Sequence, residues 1–299
     1  MIALGYIWAW KLLAKVPPTW AHSFARRLAP RFTRDKQGHI GQGPTQLRKN
    51  LARVLGCAPE EVPPGLMVAA MRSYLRYWVE AFQLPKIAGR ELAQRVEAQL
   101  EGFDHLVESF EKGKGVILVL PHSGNWDMAG MFLVEYLSKF TTVAERLKPE
   151  ALYEAFVDYR ESLGFRILPL TGGSDTSGQL AETLTSGGII ALLGDRDFTK
   201  TGVPVEFFGS ETTMPAGPAL LAHQTGAALH VVGLWFTPPT KQDPWGGWGT
   251  KVHPAIEVAN QTLNETVQEI ANRMASDIAA HPADWHMFQP LWPSDRRKR

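Results

Sequence analysis

The sequence predicts an α/β fold, with a central mixed, mostly parallel sheet flanked by helices and an N-terminal helical cap. Three observations carry this. Short apolar runs such as "GVILVL" (115–120), "GIIALLG" (188–194) and "ALHVVGLWF" (228–236) recur through the middle of the chain. Each is bounded by glycine, proline or polar residues, as a buried strand is. Between them lie segments whose apolar residues repeat at three- and four-residue spacing. Strands alternating with helices give a sheet whose faces the helices cover.

Residues 45–56, "TQLRKNLARVLG", read as a helix with a glycine stop. Residues 63–85 form a second helix, with Tyr74, Tyr77, Trp78 and Phe82 at helical spacing and Arg72 and Arg76 between them. A third helix spans 90–110, which completes the cap. Strands are expected at 115–120, 140–144, 165–170, 188–194 and 228–236, with a short one around 250–257. Helices are expected at 123–137, 149–164, 176–187, 216–225 and 262–280.

A chain of 299 residues with 44% hydrophobic content supports one large core or two modest ones. A single cysteine, Cys57, excludes an internal disulfide framework and a cysteine-based metal cluster. The sequence shows no secretion-type cleavage signal and no apolar stretch long enough for a spanning helix.

The net charge is only +1, but it is unevenly distributed. Residues 1–50 carry Lys11, Lys15, Arg26, Arg27, Arg31, Arg34, Lys36, Arg48 and Lys49 against Asp35, and the sequence finishes "RRKR". Basic ends attract phosphate, whether of nucleic acid or of anionic lipid. The first 30 residues mix Trp8, Trp10, Trp20 and Phe24 with lysine and arginine, the composition of an interfacial helix. Pro17 and Pro18 interrupt it. No nucleic-acid recognition pattern accompanies the charge. The expected organisation is a membrane-associating helical segment at 1–30 and one α/β domain at 31–299, the cap extending to about residue 110.

Ligands of open α/β sheets bind beyond the carboxyl ends of the strands. His122 follows the first central strand, Glu145 the second, and Asp195, Arg196 and Asp197 follow "GIIALLG". In "PHSGNWD" (121–127), Gly124 permits a tight turn and Ser123 or Asn125 can cap the next helix. Asp127, in that helix's first turn, is expected to fold back toward the His122 ring. A carboxylate on one ring nitrogen fixes the tautomer, and the other nitrogen can then accept a proton. His122 is thus a candidate general base with Asp127 as its orienting partner. The residues alone equally allow a capped turn with a structural histidine. No G-x-S-x-G elbow is present and Cys57 has no histidine in a recognisable frame, so a covalent acyl-enzyme has no support. Gathering of His122, Asp127, Asp195 and Asp197 around a cation is an alternative without the usual ligand-rich runs. Arg160 and Arg196 are candidate anion-binding residues or partners of carboxylates. Pro215, Gly217 and Pro218 open a helix that either approaches a ligand closely or is an ordinary proline-started helix.

The stretches "RSYLRYWVEAF", "HSGNWD", "AERLKPEALYEAFVDYRESLGFRILPL", "DRDFTKTGVPVEFFG", "TTMPAGPALLA" and "DWHMFQPLW" occur in this order over nearly the full chain. Together they resemble the bacterial lipid A biosynthesis acyltransferases, within the glycerolipid acyltransferase superfamily. Among these they resemble most the actinobacterial branch that acts on phosphatidylinositol mannosides. The resemblance implies a glycerol-3-phosphate acyltransferase-like fold and a peripheral enzyme at the cytoplasmic face of the membrane. It implies acyl-CoA, typically palmitoyl-CoA, as co-substrate with no further cofactor, and a mannose hydroxyl of a mannosylated inositol phospholipid as acceptor. It gives His122 the role of base, with Asp127 in support, and adds Glu145 and Arg160 to the site. It also implies an acidic group near "DRD", which Asp195, Asp197 or Glu206 can fill, with Arg196 beside it. Transfer to another membrane glycolipid, thioester hydrolysis and non-catalytic lipid binding are the rival readings.

Overall fold

The computed structural model describes residues 15–33, 43–146, 149–170, 175–197, 201–241 and 245–295. The apolar residues before Lys15, and Arg34, Lys36 and the "RRKR" run, lie outside the described residues.

Three helices open the described chain: α1 (Pro18–Phe32), α2 (Pro44–Leu55) and α3 (Pro64–Ile87). Each has proline in its first turn, where the missing N–H costs nothing. Gly56 ends α2 in the left-handed conformation, as expected of a glycine stop. The single helix expected at 90–110 is two helices, α4 (Arg90–Glu97) and α5 (Phe103–Glu111), separated by strand β1 (Leu100–Glu101). Gly102 makes this break at φ +68°, and a Cβ there would lie 2.3 Å from the Val252 carbonyl oxygen. The close approach lets β1 pair with the last strand, an interaction that helical periodicity cannot reveal.

The remaining elements alternate. They run β2 (Val116–Leu120), α6 (Trp126–Tyr136), β3 (Phe140–Ala144), α7 (Glu150–Ser162), β4 (Arg166–Pro169), α8 (Thr176–Thr185) and β5 (Ile189–Leu193). After β6 (Val203–Phe207) and β7 (Ser210–Met214) come α9 (Gly217–Thr225), β8 (Ala228–Phe236), β9 (Trp248–Val252) and α10 (Leu263–Ala280). Seven strands form one sheet in the order β1-β9-β8-β2-β5-β3-β4. All neighbours are parallel except β8 and β9. The fold is therefore α/β with a mixed, mostly parallel central sheet between helices, and a helical N-terminal region, as the sequence predicts. The antiparallel hairpin β6–β7 is separate from this sheet.

Alternate residues of β2 enter two cores. Ile117 and Val119 pack with α9 and α10 residues such as Ala219, Val267, Ile270 and Met274. Val116, Leu118 and Leu120 pack with Tyr77, Leu84, Met128 and Phe132 of α3 and α6. Full burial of one such aliphatic side chain contributes about 1.5–3 kcal/mol, enough to fix the register of a strand. That register sets the site: β2 and β5 pair with Leu120 opposite Leu193, so the residues two places on, His122 and Asp195, emerge together at the carboxyl edge.

Candidate active site

Beyond β2 the chain must leave the sheet at once. Gly124 turns it at φ +56°, and a Cβ there would meet the Leu234 and Trp235 backbone at 2.9 Å. Asn125 then caps α6, its side-chain oxygen accepting the Met128 N–H at 3.0 Å. The Asn125 amide itself donates to Glu80 of α3 at 2.8 Å. Glu80 is buried, and it also accepts from Arg76 and from the Trp248 indole.

His122 Nδ1 lies 2.6 Å from Asp195 Oδ1. The His122 backbone N–H donates to Asp195 Oδ2 at 2.9 Å, and the Trp285 indole N–H donates to the same oxygen at 2.9 Å. Asp195 has no exposed side-chain surface, whereas 21% of the His122 side chain is accessible. Burial opposes the Asp195 charge, but the His122 ring and the three hydrogen bonds outweigh it and hold the carboxyl below its ordinary value. An anionic Asp195 requires the neutral His122 ring to carry its proton on Nδ1. Nε2 is then the nitrogen that accepts.

This corrects the expectation for Asp127. Asp127 does not orient the His122 ring; it accepts from Arg160 Nε at 2.8 Å and from the Tyr77 hydroxyl at 3.0 Å. The reason is topological. Asp127 sits inside the first turn of α6, between α3 and α7, while the neighbouring strand delivers Asp195 to the ring. Of the two roles open to Arg160, anion binding or pairing with a carboxylate, the structure shows the second, with Asp127. Burial works against the Arg160 charge, but Asp127 beside it raises its pKa. Burial and then the Asp127 charge push the Tyr77 hydroxyl well above its ordinary value.

The other acidic candidates separate. Asp197 accepts from the Thr213 hydroxyl at 3.1 Å and so ties to the β6–β7 hairpin. Glu206 lies on the exposed face of β6, whose backbone bonds to Gln268 of α10. Glu145 follows β3 at the same sheet edge and is exposed. Burial lowers the pKa of Arg196, and the charges of Glu145 and Asp195 act in the opposite direction. Among the described residues no three His, Cys, Asp or Glu side chains converge as metal ligands.

Behind the histidine turn runs a segment to which spacing alone assigned no role. The His286 N–H donates to the His122 carbonyl at 2.7 Å and the Gly124 N–H to the Asp284 carbonyl at 2.9 Å. Ser73 of α3 donates to Asp284 Oδ1 at 2.6 Å and lies 2.8 Å from His286 Nε2. Burial, with His122 nearby, pushes the His286 pKa down to about 3, so its ring is neutral. The signal for this segment was its composition: three hydrogen-bonding residues, "DWH", inside an apolar stretch.

An apolar pocket, partly open to solvent, lies between α6 and the sheet. Leu118, Leu120, Phe132, Leu133, Phe140 and Phe165 line it, as do Trp126 and Asp127 of the turn after His122. Trp126 also meets the His122 ring edge-on, with centroids 5.9 Å apart. The pocket is therefore roofed by α6; the aromatic stripe of α3 packs behind it, with Tyr77 stacked on Trp126.

The Asp127–Arg160 pair makes a testable distinction. Asp127→Asn leaves a buried guanidinium without its counter-charge, at a cost of roughly 3–5 kcal/mol. A thermal melt should show marked destabilisation, while the Asp195–His122 contact persists. A variant with unchanged melting temperature would contradict this reading of the pair.

The family model described as bacterial lipid A biosynthesis acyltransferase matches residues 1–294. The chain is 52% identical over 254 residues to the phosphatidylinositol mannoside acyltransferase of Mycobacterium tuberculosis H37Rv, covering 85% of this chain and 78% of that protein. It is 47% identical over 293 residues to the protein of the same name from Mycolicibacterium smegmatis, covering 98% of this chain and 91% of that protein. A histidine held by a buried carboxylate, beside an apolar cavity, is thus set in a chain similar to these acyltransferases along most of its length. The chain belongs to the bacterial lipid A biosynthesis acyltransferase family.

Proposed function

We propose that this protein transfers a long-chain acyl group, palmitoyl for preference, from acyl-CoA to a mannose hydroxyl of a phosphatidylinositol mannoside, with His122 as general base. The observation that carries the mechanism is the 2.6 Å contact between His122 Nδ1 and buried Asp195. The choice of acceptor rests on the similarity to the mycobacterial enzymes.

The acceptor hydroxyl donates to His122 Nε2. As its oxygen attacks the thioester carbonyl, the proton passes to Nε2 and Asp195 stabilises the imidazolium. The tetrahedral intermediate collapses, the carbon–sulfur bond breaks, and CoA leaves as a thiolate that recovers the proton from His122. The cavity beneath α6 receives the acyl chain, each buried CH₂ contributing about 0.8 kcal/mol. Glu145 and Arg196 flank the sheet edge where the polar parts of the substrates meet. Asp127 and Arg160 support the site by fixing α6 between its neighbours. In this reading the fold is of the glycerol-3-phosphate acyltransferase kind, with residues 31–299 as one catalytic domain.

Mass spectrometry of products from palmitoyl-CoA, offered with mannosylated and unmannosylated inositol lipids, tests the assignment. Acylated mannoside is the expected product. Free palmitate as the only product would replace the transferase with a thioester hydrolase, and acylation of unmannosylated lipid alone would overturn the acceptor.

We also propose that α1 rests on the cytoplasmic face of the membrane as part of a peripheral anchor within residues 1–30. Ala21, Ala25 and Ala29 bury a small-residue face, whereas Trp20 is 73% and Phe24 63% exposed. Arg27 and Arg31 are exposed on the same helix. Bulky aromatics outward with arginines nearby suit an anionic lipid surface. Among the described residues no helix is long and apolar enough to cross a membrane. Replacing Trp20 and Phe24 together by alanine should weaken co-sedimentation with anionic vesicles at least tenfold without lowering the melting temperature. Unchanged vesicle binding would remove α1 from the anchor.

A further inference from the structure

The segment Asp284–His286 is locked to the histidine turn, and one of its side chains reaches through to Asp195. Trp285 forms an antiparallel bridge with Ser123, and the flanking N–H groups of His286 and Gly124 close it. The bridge fixes the backbone that carries the indole. The indole is fully buried, with Phe207, Phe208 and Trp292 around it at centroid distances of 6.1, 6.1 and 6.5 Å. From that aromatic socket its N–H meets Asp195 Oδ2 at 2.9 Å.

We propose that Trp285 is a positioning residue for acyl transfer: its indole N–H, with the His122 backbone N–H, occupies Asp195 Oδ2 and turns Oδ1 to the His122 ring. The inference rests on the reading of His122 as the base. A buried carboxylate without one of its donors is more basic and less firmly held about its χ2 bond. The indole limits both, since it donates from a fully buried aromatic socket. His122 meets the carboxylate from the end of β2, Arg196 follows Asp195 in the chain, and His286, neutral through burial, is bonded by its backbone to His122.

The chemistry predicts a direction. Loss of the indole N–H makes Asp195 a stronger acceptor from Nδ1 and a better partner for the imidazolium. The Nδ1 proton resonance should move further downfield, and the acid limb of the pH–rate profile should move to higher pH. Looser orientation of the ring should lower kcat roughly tenfold, with KM for palmitoyl-CoA little changed.

The test uses the full-length protein as Trp285→Phe, with Trp292→Phe as the control. Trp292 is a buried member of the same aromatic group, but its indole N–H donates to the Phe207 carbonyl at 3.3 Å. Trp285→Phe should shift both the resonance and the acid limb, and Trp292→Phe neither. Should Trp285→Phe fail to fold, benzothienylalanine at position 285 deletes only the N–H and keeps the ring volume. An unmoved resonance and limb in the folded variant, or equal movement in Trp292→Phe, would overturn the proposal. The resonance is read without substrate, so it reports on Trp285 separately from catalysis. Persistence of transfer in His122→Ala would instead remove the reading of His122 as base.

Discussion

His122→Ala is expected to lose acyl transfer by roughly 10²- to 10⁴-fold, toward the background of thioester hydrolysis, while the protein stays folded. The side chain is partly accessible, and its loss opens no closed core cavity. Asp195 keeps two donors after the change, the residue-122 backbone N–H and the Trp285 indole. The fold thus retains its hydrogen bonds and loses only the proton acceptor. Single-turnover transfer from palmitoyl-CoA, normalised to folded protein by circular dichroism, reads the effect. Transfer at a near-normal rate by folded His122→Ala would end the general-base mechanism.

Asp195→Asn should lower transfer by roughly 10³-fold or more with little change in shape. The asparagine oxygen still accepts from the Trp285 indole and the His122 backbone N–H, which places its NH₂ opposite Nδ1. A donor there forces the His122 proton onto Nε2, the nitrogen that must receive the sugar proton. The charge that stabilises the imidazolium disappears as well. The pH–rate profile should lose its acid limb along with its amplitude, because the remaining activity no longer depends on a neutral His122. Retention of more than about a tenth of the activity would show that the carboxylate is not the partner of the base.

The two findings on Asp127 and Asp195 show what a sequence can and cannot convey. Strand 116–120 and the turn through Gly124 were legible because each is local: an apolar run, then a glycine that must turn. The identity of the His122 partner was not. It depends on Leu120 pairing with Leu193, a register that no short window contains. Within its window Asp127 was the nearest carboxylate and so the natural candidate, whereas its partners Tyr77 and Arg160 lie 50 and 33 residues away. The β6–β7 hairpin went unread although its alternation, with Val203, Val205 and Phe207 buried between exposed Pro204 and Glu206, was present in the sequence. A strand-breaking proline and Phe208 at φ +51° obscured it. Glu80 and Ser73 could not be distinguished from other polar residues on a helix until α3 was seen to place them beneath the histidine turn.

Both carboxylates touch one end of α6 or its preceding turn, yet they carry opposite consequences, and comparing them decides which one serves the histidine. The measurement is the single-turnover rate of palmitoyl transfer to mannosylated inositol lipid by Asp195→Asn and Asp127→Asn, each divided by its folded fraction at the assay temperature. The His122–Asp195 account predicts a collapse of the normalised rate for Asp195→Asn, and for Asp127→Asn a loss mainly of folded fraction. The reverse, a near-normal normalised rate in Asp195→Asn and none in Asp127→Asn, would contradict it and return Asp127 to the histidine.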